Sequence, residues 1–103
     1  MGKIIKVANK SDVKSGQGLC VSAEGKDIAL FCVNGSYHAI DNTCTHSGGP
    51  LAEGPVDGKE VVCPWHGAAF DVTTGAVLAG PATESVNCYK VHLEGEDVKL
   101  ELP

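Results

Sequence analysis

Tyr89-Lys90-Val91-His92-Leu93-Glu94-Gly95-Glu96-Asp97-Val98-Lys99-Leu100-Glu101-Leu102 is the stretch that decides the fold class. Tyr89, Val91 and Leu93 fall on one face of an extended chain, and Val98, Leu100 and Leu102 on one face of another, with Glu94-Gly95 between them. Strand side chains alternate with a period of two, so this is a half-buried antiparallel pair joined by a tight turn. Outward from this pair the signal repeats. Strands are expected at 3–8, 18–23, 27–33, 36–41, 60–63, 69–72, 76–78, 86–93 and 97–102. Turns are expected at Glu24-Gly25, Asn34-Gly35, Asp57-Gly58, Thr74-Gly75 and Glu94-Gly95. No segment carries a long helical stripe, so an all-β antiparallel fold is implied.

Residues 42–67 break this rhythm, being rich in Gly, Pro, Cys and His with one short strand signal in the middle. They read as two functional loops on a scaffold. At 103 residues and 10.6 kDa the chain has room for one domain and one site. The expected organisation is therefore a single domain, 1–103, with a subdomain at 42–71 inserted into a β base formed by 1–41 and 72–103.

Thirteen carboxylates face 8 basic residues, all Lys, for a formal charge of -5, the wrong sign for tracking a phosphate backbone. The longest apolar run, Ile28 to Val33, is far short of the roughly 20 residues a membrane-spanning helix needs. The first residues show neither an export signal nor a myristoylation pattern, so a cytoplasmic protein is expected. The five cysteines, Cys20, Cys32, Cys44, Cys63 and Cys88, are an odd number without a Cys-x-x-Cys pair. Neither a disulfide scaffold nor a redox dithiol fits, which leaves metal chemistry.

Cys44-Thr45-His46 and Cys63-Pro64-Trp65-His66 each supply one thiolate and one imidazole, with 16 residues between His46 and Cys63. A structural zinc would sooner group like ligands. The mixed pairing suits a dinuclear centre better, because each loop can give its Cys to one metal and its His to the other, so both loops clamp both. Gly48-Gly49-Pro50 and Gly67 would let main chain approach the bridging atoms.

These motifs, extended as Cys44-Thr45-His46-Ser47-Gly48-Gly49-Pro50-Leu51 and Cys63-Pro64-Trp65-His66-Gly67-Ala68-Ala69-Phe70-Asp71, closely resemble those of the Rieske [2Fe-2S] proteins. Gly80-Pro81-Ala82 resembles that family's third, proline-containing loop, and Tyr89-Lys90-Val91 continues the likeness. The resemblance implies an antiparallel β-sandwich base carrying a cluster-binding loop subdomain. Cys44 and Cys63 would hold the inner iron, and His46 and His66 the outer iron at the tip. In length the chain is similar to free Rieske ferredoxins, which implies an electron carrier and not an enzyme. Its expected partners are a flavin-dependent NAD(P)H reductase and a terminal ring-hydroxylating oxygenase, met through transient contacts at the cluster tip by a monomer. The alternative is the small subunit of an NAD(P)H-dependent nitrite reductase. Catalysis by this chain alone is excluded because only His38 and His92 remain for a mononuclear iron, in expected strands of a domain with no room for a substrate pocket.

Three further expectations concern the surroundings. Cys20, Cys32 and Cys88 read as inert buried strand residues, His38 and His92 as strand histidines with a satisfied or solvated ring, and Trp65 as a shield over the cluster. Glu53, Asp57 and Glu60, set against Lys59, would give the tip negative charge. In respiratory relatives an extra Cys in each loop forms a disulfide, and a Ser and a Tyr donate hydroxyls to the sulfurs. The corresponding residues are Gly49, Trp65, Ala68 and Phe70, which implies a potential near the bottom of the family's span of roughly -150 to +300 mV.

Overall fold

The alternating C-terminal stretch forms a hairpin of β9 (Cys88–Glu94) and β10 (Asp97–Leu102) in a computed structural model describing residues 3–14, 16–43, 49–65, 67–80 and 84–102. Val98, Leu100 and Leu102 are buried as their spacing requires. Leu93 departs from expectation: it pairs with the buried Val98 but stands 46% exposed.

β10 also pairs with β1 (Lys3–Asn9), and β9 with β4 (Ser36–Asp41), which continues to β3 (Lys26–Val33) and β2 (Gly18–Ala23). The six-stranded order is β1-β10-β9-β4-β3-β2, antiparallel throughout, and its two ends, β1 and β2, touch. The β4–β9 joint is only two residue pairs long, and there the sheet folds over. One apolar cluster fills the resulting sandwich, drawing Ile28, Leu30 and Ala39 from one half and Val98, Leu100 and Leu102 from the other. A bulge in β1 between Lys6 and Ala8 resets the alternation, which brings Ala8 into that core.

A second sheet of β5 (Val56–Asp57), β6 (Glu60–Val62), β7 (Ala69–Asp71) and β8 (Val77–Ala79), in that order, covers the outer face of β3 and β4. Ala29, Phe31 and Ile40 meet Leu51, Val61, Phe70 and Val72 in a second apolar cluster. β3 is thus buried on both faces. That is why Ile28 to Val33 reads as an unbroken apolar run instead of alternating.

Turns at Glu24-Gly25 and Asn34-Gly35 have positive φ at both positions, as expected for type I′ hairpins. Of the other three expected turns, Thr74-Gly75 lies between β7 and β8, and the remaining two fall one residue later than expected, at Gly58-Lys59 and Gly95-Glu96, with Glu94 kept as the last residue of its strand. The short strand β5 has no counterpart among the expected strands. The second sheet continues past residue 71 into β8, since Asp71 turns the chain: its Oδ1 accepts from the Thr73 amide and hydroxyl, and its carbonyl from the Gly75 amide. No α-helix occurs among the described residues, and none of their helical turns is long and apolar enough to cross a membrane.

Candidate metal centre

Cys63 follows β6 directly, is 1% exposed and belongs to the second apolar cluster. The Cys63 amide donates to the Ala68 carbonyl at 2.7 Å, and the Gly67 amide donates back to the Cys63 carbonyl at 3.1 Å. Closing so tight a loop requires a left-handed residue, supplied by Gly67 at φ +79. Pro64 and Trp65 are left outside on the exposed arm.

The first segment is held at its stem. Thr43 and Pro50 form an isolated antiparallel bridge. Asn42, buried, accepts the Leu51 amide on its carbonyl at 2.7 Å and the Ala52 amide on Oδ1 at 2.8 Å, while its own amide donates to the Asp27 carbonyl at 3.0 Å. Before it, the Asp41 carboxylate accepts the Tyr89 hydroxyl on Oδ1 and the Asn87 amide on Oδ2 at 3.1 Å. Burial, the bond to Asp41 and that carboxylate's charge push the Tyr89 hydroxyl up to about 12. The sequence reading gave no role to Asp41 or Asn42, although two Asx residues between a strand and a Cys/His loop are a recognisable stem signal.

The two segments meet at Gly49. A Cβ there would lie 2.7 Å from Cys63 Sγ and 3.1 Å from Trp65 Cγ, so the main chain of the first segment rests directly against the sulfur of the second. This is a cradle only glycine can line, and with two thiolates and two imidazoles in the sequence it fits an iron–sulfur group. Gly49 and Trp65, the positions of the respiratory disulfide, are neighbours in space here and pack together without one. Cys44, His46 and His66, like Pro81 and Ala82, lie outside the described residues.

Among the described residues no group of three or more Cys, His, Asp or Glu is placed to hold a metal. His92 Nε2 lies 2.9 Å from Glu101 in its own hairpin, and His38 stands opposite Phe31 in β4. Cys32 is buried as expected, whereas Cys20 and Cys88 are exposed, contrary to expectation. They end the cross-strand row Cys20-Ala29-Ile40-Cys88, whose middle members alone are covered by the second sheet. Partial desolvation, then the charges of nearby Asp27 and Glu53, raise the Cys20 thiol above its ordinary value. Trp65 is 59% exposed, so one side shields Gly49 and Cys63 while the other faces solvent. Ala68 and Phe70 are fully buried and bring no hydroxyl to the site. Glu53 and Asp57 are exposed and Glu60 half-buried, while Lys59 sits 3.7 Å from Asp71. Burial opposes ionisation of Asp71, but the two Thr73 bonds and the Lys59 charge outweigh it and hold the carboxyl below its ordinary range.

These features define a small all-β protein in which the Gly49 main chain of one Cys/His-bearing segment rests against the Cys63 sulfur of the other. The family model described as Rieske [2Fe-2S] domain matches residues 3–90, and the chain belongs to that family. It is 40% identical to the ferredoxin component of the naphthalene 1,2-dioxygenase system of Pseudomonas aeruginosa, over 88% of each chain. Among solved structures it is similar to a Sphingomonas yanoikuyae B1 ferredoxin, with TM-score 0.92 and 32% identity over 98% of this chain and 100% of that one. It is also similar to a chain in the complex of reduced oxygenase and oxidized ferredoxin in carbazole 1,9a-dioxygenase, with TM-score 0.88 and 33% identity over 94% and 91%. A nitrite reductase small subunit from Mycobacterium tuberculosis, described there as putative, shares the fold at TM-score 0.89 with 23% identity, over 100% of this chain and 97% of that one.

Proposed function

We propose that this chain is a one-electron carrier, not an enzyme, that passes electrons from a flavin-dependent NAD(P)H reductase to a terminal ring-hydroxylating oxygenase. The Rieske [2Fe-2S] cluster supplies one-electron chemistry when bound. Cys44 and Cys63 would hold one iron and His46 and His66 the other, within the 42–71 region raised above the six-stranded base. The observation that carries this reading is the Gly49 main chain lying against Cys63 Sγ, because it joins the two segments that bear the ligand pattern. Burial of Cys63 keeps water from the sulfur side, and the exposed face of Trp65 gives a partner an aromatic surface beside it. Kinship with dioxygenase ferredoxin components favours an oxygenase as acceptor over a nitrite reductase, whose small subunit shares the fold alone. We assign the carrier to the cytoplasm, as a monomer.

The test is reconstitution with purified partners. NAD(P)H with a flavin-dependent ferredoxin reductase is expected to bleach the visible bands, and a terminal oxygenase with its aromatic substrate to restore them. Reduction and reoxidation only in the presence of a nitrite reductase large subunit would replace this acceptor with the other.

A further inference from the structure

Resting on the carrier reading, we propose that Asp41 and Tyr89 are positioning residues that fix where the first ligand segment leaves the base. β4 pairs with β9 only at Ala39–Tyr89 and Ile40–Cys88, so the sheet ladder stops holding the chain just before residues 43–50 begin. Asp41 takes over from it. Its amide donates to the Asn87 carbonyl at 2.9 Å, and its two carboxylate oxygens accept from the Asn87 amide and the Tyr89 hydroxyl. Hydrogen bonds to a carboxylate are the strong, geometrically demanding kind. No Lys lies within ion-pair distance of Asp41 among the described residues, so the hydroxyl and the amide are what meet its charge.

Tyr89 packs against the base core, which makes it a rigid strut between that core and the stem. The next residue, Asn42, turns away from β9 and is fixed to Asp27, Leu51 and Ala52. Consecutive residues are therefore anchored in different directions, and the path of the chain from Thr43 to the Gly49–Cys63 contact starts from a fixed point. Losing the Tyr89 hydroxyl leaves the base core its aromatic ring but frees the stem to swing. The consequence falls on how the first segment meets Cys63, not on whether the base folds.

The experiment uses holoprotein of the wild type, Tyr89→Phe, Asp41→Asn and the double variant, with Tyr37→Phe as a control that removes a hydroxyl elsewhere in the same core. Readouts are the visible circular dichroism of the bound cluster, the rate of iron release to a chelator, and hydrogen exchange at the Leu51 and Ala52 amides. Tyr89→Phe is expected to bind its cluster with an altered spectrum, to release iron roughly tenfold faster, and to exchange those two amides faster. The double variant should be no faster than Asp41→Asn alone, because both changes cut one link. Tyr37→Phe should match the wild type. Wild-type spectra and release rates in both single variants would overturn the proposal, as would equal effects from Tyr37→Phe. If Tyr89→Phe fails to fold, Asp41→Asn reads the same link. A colourless wild type would overturn the carrier reading itself, whereas a coloured wild type with unaffected variants overturns the clamp alone.

Discussion

The base sandwich and the metal end are both β structure, yet they are held together differently. In the base, every joint of the six-stranded sheet except β4–β9 runs over five or six residue pairs, around a core of Ile28, Leu30, Val98, Leu100 and Leu102. In the metal end, strands of two or three residues pair briefly, and the segments between them offer Gly, Pro and polar stems. Its apolar residues, Val61, Phe70 and Val72, are spent on gluing the second sheet to β3 and β4, not on ordering the ligand segments. The base thus folds on its hydrophobic core, while the metal end borrows order from the base beneath it and from the metals it carries.

The largest effect that would break this contrast is loss of a ligand. Cys63→Ser, Cys44→Ser or His66→Ala is expected to abolish the visible bands, since the remaining ligands leave iron open to solvent. Hydrogen exchange should then show lost protection at Asn42, Leu51 and Cys63 while β10 stays protected. Native protection of both regions in the metal-free chain would remove the distinction.

Next come two substitutions that sort by region. Leu100→Ala empties a fully buried site in the base and is expected to cost about 2–5 kcal/mol in denaturant unfolding, with cluster loss only as a consequence. Gly49→Ala puts a methyl 2.7 Å from Cys63 Sγ and should lower cluster retention with a much smaller change in unfolding midpoint of the base. If Gly49→Ala bound and held its cluster like the wild type, the close approach would have no functional weight.

Phe70→Tyr sharpens the comparison at the cluster itself. Phe70 is fully buried and opposite Val61, and Ala68 beside it also lacks a hydroxyl, so no side-chain donor from these positions stabilises the reduced state. The wild-type potential is expected near the bottom of the span of roughly -150 to +300 mV, and the tyrosine variant above it. Voltammetry of both proteins checks this, and a wild-type value in the upper half would refute the argument.

The pH edges of stability belong to different regions. Asp71 in the second sheet ionises below the ordinary carboxylate range, so its contribution is present above the unfolded value near 4 and is lost as pH falls through the lower folded value. Tyr89 on the base is shifted the other way, to about 12, so its contribution is full below the unfolded value near 10 and disappears as pH rises through the folded one. Thermal unfolding of Asp71→Asn should lose part of the acid slope, and that of Tyr89→Phe part of the alkaline slope.

The smallest effect is electrostatic. Residues 42–87 carry Glu53, Asp57, Glu60, Asp71 and Glu84 against Lys59, whereas the remaining seven lysines lie in the base strands and their turns. Exposed charges are screened beyond roughly 8 Å at physiological ionic strength, so reduction by a partner with a basic docking face should slow as salt rises. A rate indifferent to salt, measured by stopped flow, would show that these carboxylates only solvate the loops.

What could be read beforehand follows the same division. The base was legible because its hairpins alternate and because Asn34-Gly35 and Glu24-Gly25 leave little choice of turn. β5 is not legible because Val56-Asp57 is too short to show alternation, and the placement of β8 in the second sheet is not legible because a run of Ala, Val and Leu does not name its partner. The exposure of Cys20 and Cys88 is not legible either, since alternation gives the face of a strand but not where the covering sheet ends. The proposed ligands Cys44, His46, Cys63 and His66 announce themselves by residue type and spacing. The Asp41–Tyr89 and Asn42–Ala52 bonds do not, because they join positions distant in sequence and depend on tertiary placement.

A reductive titration of the purified protein, followed in the visible together with iron and acid-labile sulfide analysis, tests the central claim most directly. The expected result is a coloured protein with two irons and two sulfides per chain that bleaches on taking up one electron. A colourless chain holding a single zinc, or a coloured one that takes up no electron, would contradict it.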